Sequence, residues 1–217
     1  MIGSLQERWT KVHDEVERVC LRHGRSMPTL IAVSKRHPAE AIRACYELGQ
    51  RDFGENYAQE LVTKAEALND LEDIRWHMIG PLQRNKARHL APHTPVIHTL
   101  NSVRLIKELD RRATTSLQGL IQVNLAGEEQ KSGVSPDELE ELLLYAETTE
   151  FIRISGLMLI PPRDGDAPSW FRKTRELAQR WSLSDVSMGM SADYAQALAE
   201  GSTMIRVGSA IFGPRPE

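Results

Sequence analysis

A lysine that follows an apolar strand is the first place in this chain where covalent chemistry could occur. The run Thr29-Leu30-Ile31-Ala32-Val33-Ser34-Lys35 alternates its side chains between two faces, so Ile31, Val33 and Lys35 share one. If that face is the inside of a barrel, Lys35 is a cation at the mouth of an apolar core. Burial there disfavours the ammonium form, and a neutral amine is what Schiff-base formation requires. The alternative is a lysine that only ends a strand in solvent. Near the C-terminus lie two Gly/Ser segments, Met188-Gly189-Met190-Ser191 and Arg206-Val207-Gly208-Ser209-Ala210-Ile211-Phe212-Gly213. Gly208 permits a close backbone approach, while Ser191 and Ser209 offer hydroxyl donors, which together suit a phosphate. Taken singly, each segment could equally be a plain turn.

The elements needed to bring these residues together can be read from hydrophobic periodicity. Short apolar runs predict strands over Thr29–Ser34, Asp52–Gly54, Arg75–Ile79, Val96–Leu100, Gln118–Asn124, Ile152–Leu159, Asp185–Ser187 and Thr203–Val207. Amphipathic stretches between them predict helices over Glu40–Leu48, Gln59–Leu68, Val103–Ala113, Pro136–Ala146 and Trp170–Arg180. Another helix, Leu5–His23, precedes the first strand. Strand–helix alternation implies parallel strands and right-handed crossovers, and eight repeats imply a closed (β/α)8 TIM barrel. The helix expected after strand eight is missing, and the N-terminal helix is expected to cover that part of the barrel. In such a barrel the loops after strands seven and eight frequently hold phosphate. The two Gly/Ser segments fall there, and Lys35 falls at the same mouth, with Gly54-Glu55-Asn56, His77 and Asn124 at other strand ends. No metal-ligand spacing links His37, His93 or His98 to a cysteine or carboxylate, and His77 reads as a satisfied core histidine.

Composition narrows the function classes. The chain has 217 residues, 41% hydrophobic and 26% charged, with a formal charge of −3 from 27 basic and 30 acidic side chains. That balance fits one globular domain over residues 1–217 and gives no electrostatic pull toward nucleic acid or an anionic membrane. Cys20 and Cys45 form no disulfide or metal pattern. No apolar run reaches the roughly 18 residues a membrane span needs, and residues 1–25 carry no signal-type apolar segment, so a cytoplasmic protein is expected.

Several stretches resemble the pyridoxal-phosphate homeostasis proteins, whose barrel is similar to the N-terminal domain of alanine racemase. They are Ala32-Val33-Ser34-Lys35, Asp52-Phe53-Gly54-Glu55-Asn56-Tyr57, Trp76-His77-Met78-Ile79-Gly80-Pro81-Leu82-Gln83-Arg84-Asn85-Lys86, Lys131-Ser132-Gly133, Gly156-Leu157-Met158, Ser187-Met188-Gly189-Met190-Ser191-Ala192-Asp193, and Arg206 through Gly213. The departures are Met78, where a Phe is common, and His98-Thr99-Leu100-Asn101-Ser102, a variant of a His-Ser-Val-Asp-like stretch. The resemblance implies pyridoxal 5'-phosphate (PLP) as cofactor, held as a Schiff base on Lys35. It places the phosphate among Ser191, Gly208 and Ser209, Arg206 beside the pyridine nitrogen, and Asn56 as a further contact. It implies a monomeric carrier that stores, buffers or delivers PLP, with apo PLP-dependent enzymes as acceptors and no membrane or nucleic-acid partner. Alanine racemase adds a β-rich domain and a catalytic Tyr that these 217 residues do not contain. An amino-acid racemase is the alternative reading, and a PLP-free Schiff-base lyase of aldolase type the third.

Overall fold

The computed structural model describes residues 3–93, 96–128, 130, 132–162 and 165–214. Lys131 of the Lys-Ser-Gly motif lies outside them. In chain order the elements are α1 (Leu5–His23), β1 (Thr29–Val33), α2 (Ala39–Glu47), β2 (Asp52–Glu55), α3 (Ala58–Ala67), β3 (Arg75–Met78), α4 (Arg84–Leu90), β4 (Val96–Leu100), α5 (Val103–Arg112), β5 (Leu117–Gln122), α6 (Pro136–Glu147), β6 (Ile152–Met158), α7 (Ala167–Arg180), β7 (Asp185–Met190), α8 (Tyr194–Ala199), β8 (Met204–Val207) and α9 (Ser209–Phe212). The eight strands form a closed parallel barrel in sequence order. β1 closes it against β8, with Ile31 paired to Arg206.

Strand alternation divides the core into two parts. Ile31, Val96, Leu120, Met158 and Met204 form a small apolar cluster of their own. Neighbouring residues of opposite parity, such as Ala32, Phe53, Trp76, Leu157, Ile205 and Val207, join the much larger cluster shared with the helices. Most of the apolar burial that stabilises the fold therefore lies between sheet and helices. Cys20 and Cys45 are buried, and burial raises both thiol pKa values, so neither is a ready nucleophile.

The N-terminal helix does cover the closing strand, but strand eight is not bare. A single helical turn, α9, follows it, too short to register as a periodic pattern. α1 packs on α8 and α9. Arg8 donates from Nε to Ile211 O at 2.8 Å and from Nη2 to Phe212 O at 3.1 Å, satisfying carbonyls of that turn. Tyr194 donates its hydroxyl to Glu15 at 2.7 Å. α1 is itself closed by a capping box at Ser4 and Glu7 and by Gly24 at a left-handed φ of 60°. The stretch Gln83-Arg84-Asn85-Lys86, which reads as a solvated helix start rather than an anion patch, opens α4, whereas α8 carries no sequence signal because it is under two turns long.

Beyond β3, Gly80 lets two strand ends meet. A Cβ there would lie 2.1 Å from Asn56 O, and the Gly80 carbonyl accepts the Thr99 hydroxyl at 2.8 Å. The obstacle is backbone, which cannot rotate away. Gly80→Ala should destabilise the protein by about 1–3 kcal/mol, the usual cost of overpacking. Urea unfolding measures this, and an unchanged midpoint would contradict the close approach.

Candidate functional site

Lys35 sits one residue beyond Ser34 at the C-terminal end of β1, half-buried. The chain on both sides of it is tethered by a buried ion cluster. Lys64, from α3, donates to Ser34 O at 2.8 Å, Glu55 Oε1 at 2.6 Å and Glu60 Oε1 at 2.7 Å. The Ser34 hydroxyl donates to Glu55 Oε1 at 2.7 Å, and the Arg36 N–H to Glu60 Oε1 at 2.6 Å. Arg36 adopts a φ of 62°, a left-handed conformation that a non-glycine residue keeps only when its surroundings enforce it. Burial raises the Glu55 pKa despite the neighbouring Lys64. The cluster fixes residues 34 and 36 and so aims the lysine between them.

Lys35 lines a cavity of about 290 Å³ together with Val33, His37, Gly208, Ser209, Gly213 and Pro214. At its edge the Gly208 N–H donates to Ser191 Oγ at 3.2 Å, and the Ala210 N–H reaches the same oxygen at 3.5 Å. Two backbone donors thus converge on one hydroxyl, at a site built from the loops after β7 and β8. The second of these donors belongs to Ala210, which the sequence did not single out; its side chain carries no signal because only its N–H is used. A Cβ on Gly208 would approach Val33 O to 3.3 Å, so β1 and the loop after β8 meet closely there.

Arg206 is 4% exposed and lies inside the barrel. Burial pushes its pKa down to about 10, still a cation near neutral pH. Its Nη1 donates to Ser187 Oγ at 2.6 Å and its Nη2 to Leu159 O at 2.9 Å. Arg206 therefore faces the barrel interior rather than pairing with a carboxylate on a covering helix. A line of side chains continues across the interior from Ser187. Ser187 Oγ lies 2.9 Å from His98 Nδ1, His98 Nε2 lies 2.9 Å from His77 Nδ1, and His77 Nε2 lies 2.9 Å from Asp52 Oδ1. Arg75 pairs with the other Asp52 oxygen. This assigns His98, in the middle of β4, to the interior, while Ser102 beyond the strand caps α5 through Leu105 N. Among the described residues no group of three His, Cys, Asp or Glu side chains is placed to hold a metal ion.

Asn56 stands apart from Lys35. It lines a second mouth cavity of about 240 Å³ with Thr99, Gln122, Asn124 and Leu159. The Asn124 side chain is occupied in a local turn with the Glu128 backbone. Lys35, Gly208 and Ser209 therefore share one cavity, Ser191 is bonded to its wall, Arg206 lies deeper on the β8 face, and Asn56 faces the neighbouring space.

Residues 11–216 match the profile of the family "Alanine racemase, N-terminal domain". A pyridoxal phosphate homeostasis protein of Aquifex aeolicus is 40% identical over 96% of this chain and 97% of its own length. That of Escherichia coli K12 is 39% identical over 99% and 98%. The chain belongs to the pyridoxal phosphate homeostasis protein family. PipY of Synechococcus elongatus, solved with PLP bound, superposes with a TM-score of 0.85 at 38% identity, covering 97% of this chain and all of that one. An alanine racemase from Clostridium difficile shares the fold alone, with a TM-score of 0.70 at 10% identity, and this chain spans 56% of it. Among the described residues no helix is long and apolar enough to cross a membrane.

Within this family frame, sequence reading missed Ser187, Lys64 and the pairing of His77 with His98. All three depend on which strand faces which, and no single-strand pattern carries that. Burial holds the pKa of both imidazoles below the ordinary 6.5, that of His98 well below, against the pull of Asp52 on His77. Both are therefore neutral in the native state while the unfolded chain takes up protons. Stability should be full above pH 6.5 and fall as pH drops below it, by up to about 1.4 kcal/mol per pH unit for each imidazole. Glu55, with its raised pKa, acts in the opposite sense nearer its ordinary 4.5. The urea midpoint of the ligand-free protein should decline between pH 7 and pH 5.5; a flat profile would contradict two neutral buried histidines.

Proposed function

We propose that this protein is a cytoplasmic, monomeric carrier of PLP, folded as one domain, that holds the cofactor as a Schiff base on Lys35 and releases it to apo PLP-dependent enzymes. One observation carries the reading: Lys35 shares a cavity with Gly208 and Ser209, where two backbone N–H groups already converge on Ser191 Oγ. A phosphate carries roughly two negative charges at neutral pH and prefers such donors in a partly enclosed space. The Gly208, Ser209 and Ala210 backbone and the Ser191 hydroxyl would hold it, with Asn56 contributing from the second cavity. PipY, at 38% identity and solved with PLP, supports the same assignment.

When bound, the cofactor would supply an aldehyde that condenses with an amine and a ring that can accept electrons. The residues present suit the first property better than the second. Arg206 can only donate hydrogen bonds, so a ring nitrogen set against it serves as an unprotonated acceptor. Enzymes that use the ring as a strong electron sink place an acid there instead. An Arg at that position weakens carbanion stabilisation, which disfavours transamination and decarboxylation while still permitting retention of the cofactor on Lys35.

The test is reconstitution with PLP, borohydride reduction and peptide mapping, alongside an assay for amino-acid racemisation. The pyridoxyl group should map to Lys35, Lys35→Ala should fold without acquiring it, and racemisation should be negligible. An adduct on Lys86 or another lysine would refute the site, and robust racemisation would promote the enzyme reading.

A further inference from the structure

The hydrogen-bonded line that ends on Arg206 has a fixed direction. Five side chains from five strands make it up: Arg206 on β8, Ser187 on β7, His98 on β4, His77 on β3 and Asp52 on β2. All are buried. A guanidinium has only donors, and an ionised carboxylate only acceptors. The Asp52 pKa stays below its ordinary value: burial works against this, but His77 and Arg75 more than compensate, so the carboxylate is ionised. It must accept from His77 Nε2–H. His77 is neutral, so its Nδ1 must accept, and His98 must donate from Nε2. His98 is neutral too, so its Nδ1 accepts the Ser187 hydroxyl proton. Ser187 Oγ is then left to accept from Arg206. One arrangement of four protons satisfies every link, with both histidines as Nε2–H tautomers. Protonating either ring would break this arrangement, because His98 Nδ1 would then carry a proton and could no longer accept from the Ser187 hydroxyl.

We propose that this line is a positioning device: it commits the Ser187 hydroxyl proton to His98, so that Ser187 Oγ anchors Arg206 as an acceptor, and it does so without setting a carboxylate on the guanidinium, which stays a fixed cationic donor toward the ring of bound PLP. The proposal rests on the placement of the cofactor at Lys35. Its physical content is the separation of charge from contact. A carboxylate bonded directly to Arg206 would occupy the donors that face the ligand and put negative charge beside the ring. Among the described residues, Arg206 donates to one hydroxyl and one carbonyl, which use two of its five N–H groups. Asp193 acts on it through charge alone, its carboxylate being bonded to the Met190 N–H. The carboxylate that completes the line lies on β2, two strands from β8 around the closed barrel; it is paired with Arg75 and lines neither mouth cavity. Linked hydrogen bonds also polarise one another, so a committed Ser187 proton makes its oxygen a stronger acceptor for Arg206.

The experiment uses the full chain reconstituted with PLP labelled with 15N at the ring nitrogen. Three readouts are taken on wild type, Ser187→Ala and Asp52→Asn: the PLP dissociation constant, the ring-nitrogen resonance, and the borohydride adduct on Lys35. Ser187→Ala cuts the line next to Arg206. Asp52→Asn removes the charge at the far end while leaving an oxygen for His77, in a residue that touches neither cavity. Both variants should still give the Lys35 adduct. Ser187→Ala should weaken PLP binding about tenfold, as expected for losing one hydrogen bond to a charged group. The ring-nitrogen resonance should move from its wild-type position in both variants. An adduct on Lys35 with unchanged affinity and resonance in both folded variants overturns the line while leaving the cofactor site standing. Absence of the adduct in wild type overturns the cofactor site itself. Should Ser187→Ala fail to fold, Asp52→Asn alone decides, because a packing role at β2 would not move a resonance at the mouth.

Discussion

The buried cation Arg206 constrains the interior of this barrel. An unpaired charge in a protein core costs several kcal/mol, and the structure meets that cost with bonds rather than exposure. Ser187 and the Leu159 carbonyl hold the guanidinium, Asp193 acts on it through charge, and His98, His77 and Asp52 complete the hydrogen-bonded line behind Ser187. The consequence for packing is direct. Side chains that would otherwise fill an apolar layer are polar here, and the inner apolar cluster shrinks to Ile31, Val96, Leu120, Met158 and Met204. Stability is shifted to the shell between strands and helices, where the larger cluster lies.

Around that interior, positioning is done by contacts well outside the cavity. The Glu55–Lys64–Glu60 cluster holds the backbone at Ser34 and Arg36 and so aims Lys35. α1 clamps the one-turn helix after β8 through Arg8, which steadies the Gly208–Ala210 backbone against Ser191. Breaking one member of a buried ion pair is commonly costly because the other is left uncompensated. These remote residues are therefore as necessary to the site as those that line it, although none offers chemistry of its own.

Much of this was legible in the sequence, and the boundary is physical. Alternation placed Ile31, Val33 and Lys35 on one face, and the strand count gave the barrel; β4 was read to the residue, and the other strands to within a few residues. The two Gly/Ser segments read as a phosphate cradle because barrel topology says where the loops after strands seven and eight must lie. Arg206, on β8, and Gly208, just past its end, are two residues apart, so a Gly208 that faces the phosphate puts Arg206 on the same inward face. What remained hidden was whatever depends on register between distant strands. His98 and Ser187 are 89 residues apart and meet at 2.9 Å; neither strand alone announces the other. Lys64 reads as an ordinary helix cation until α3 is laid against β2. Ala210 contributes an N–H, which every residue but proline carries.

The proton positions in the buried line decide whether it has the single direction described. Neutron diffraction from a perdeuterated crystal of the ligand-free protein near pH 7 would locate them. The account predicts a deuteron on Nε2 and none on Nδ1 of both His77 and His98, with the Ser187 deuteron directed at His98 Nδ1. A deuteron on Nδ1 of either histidine would contradict it.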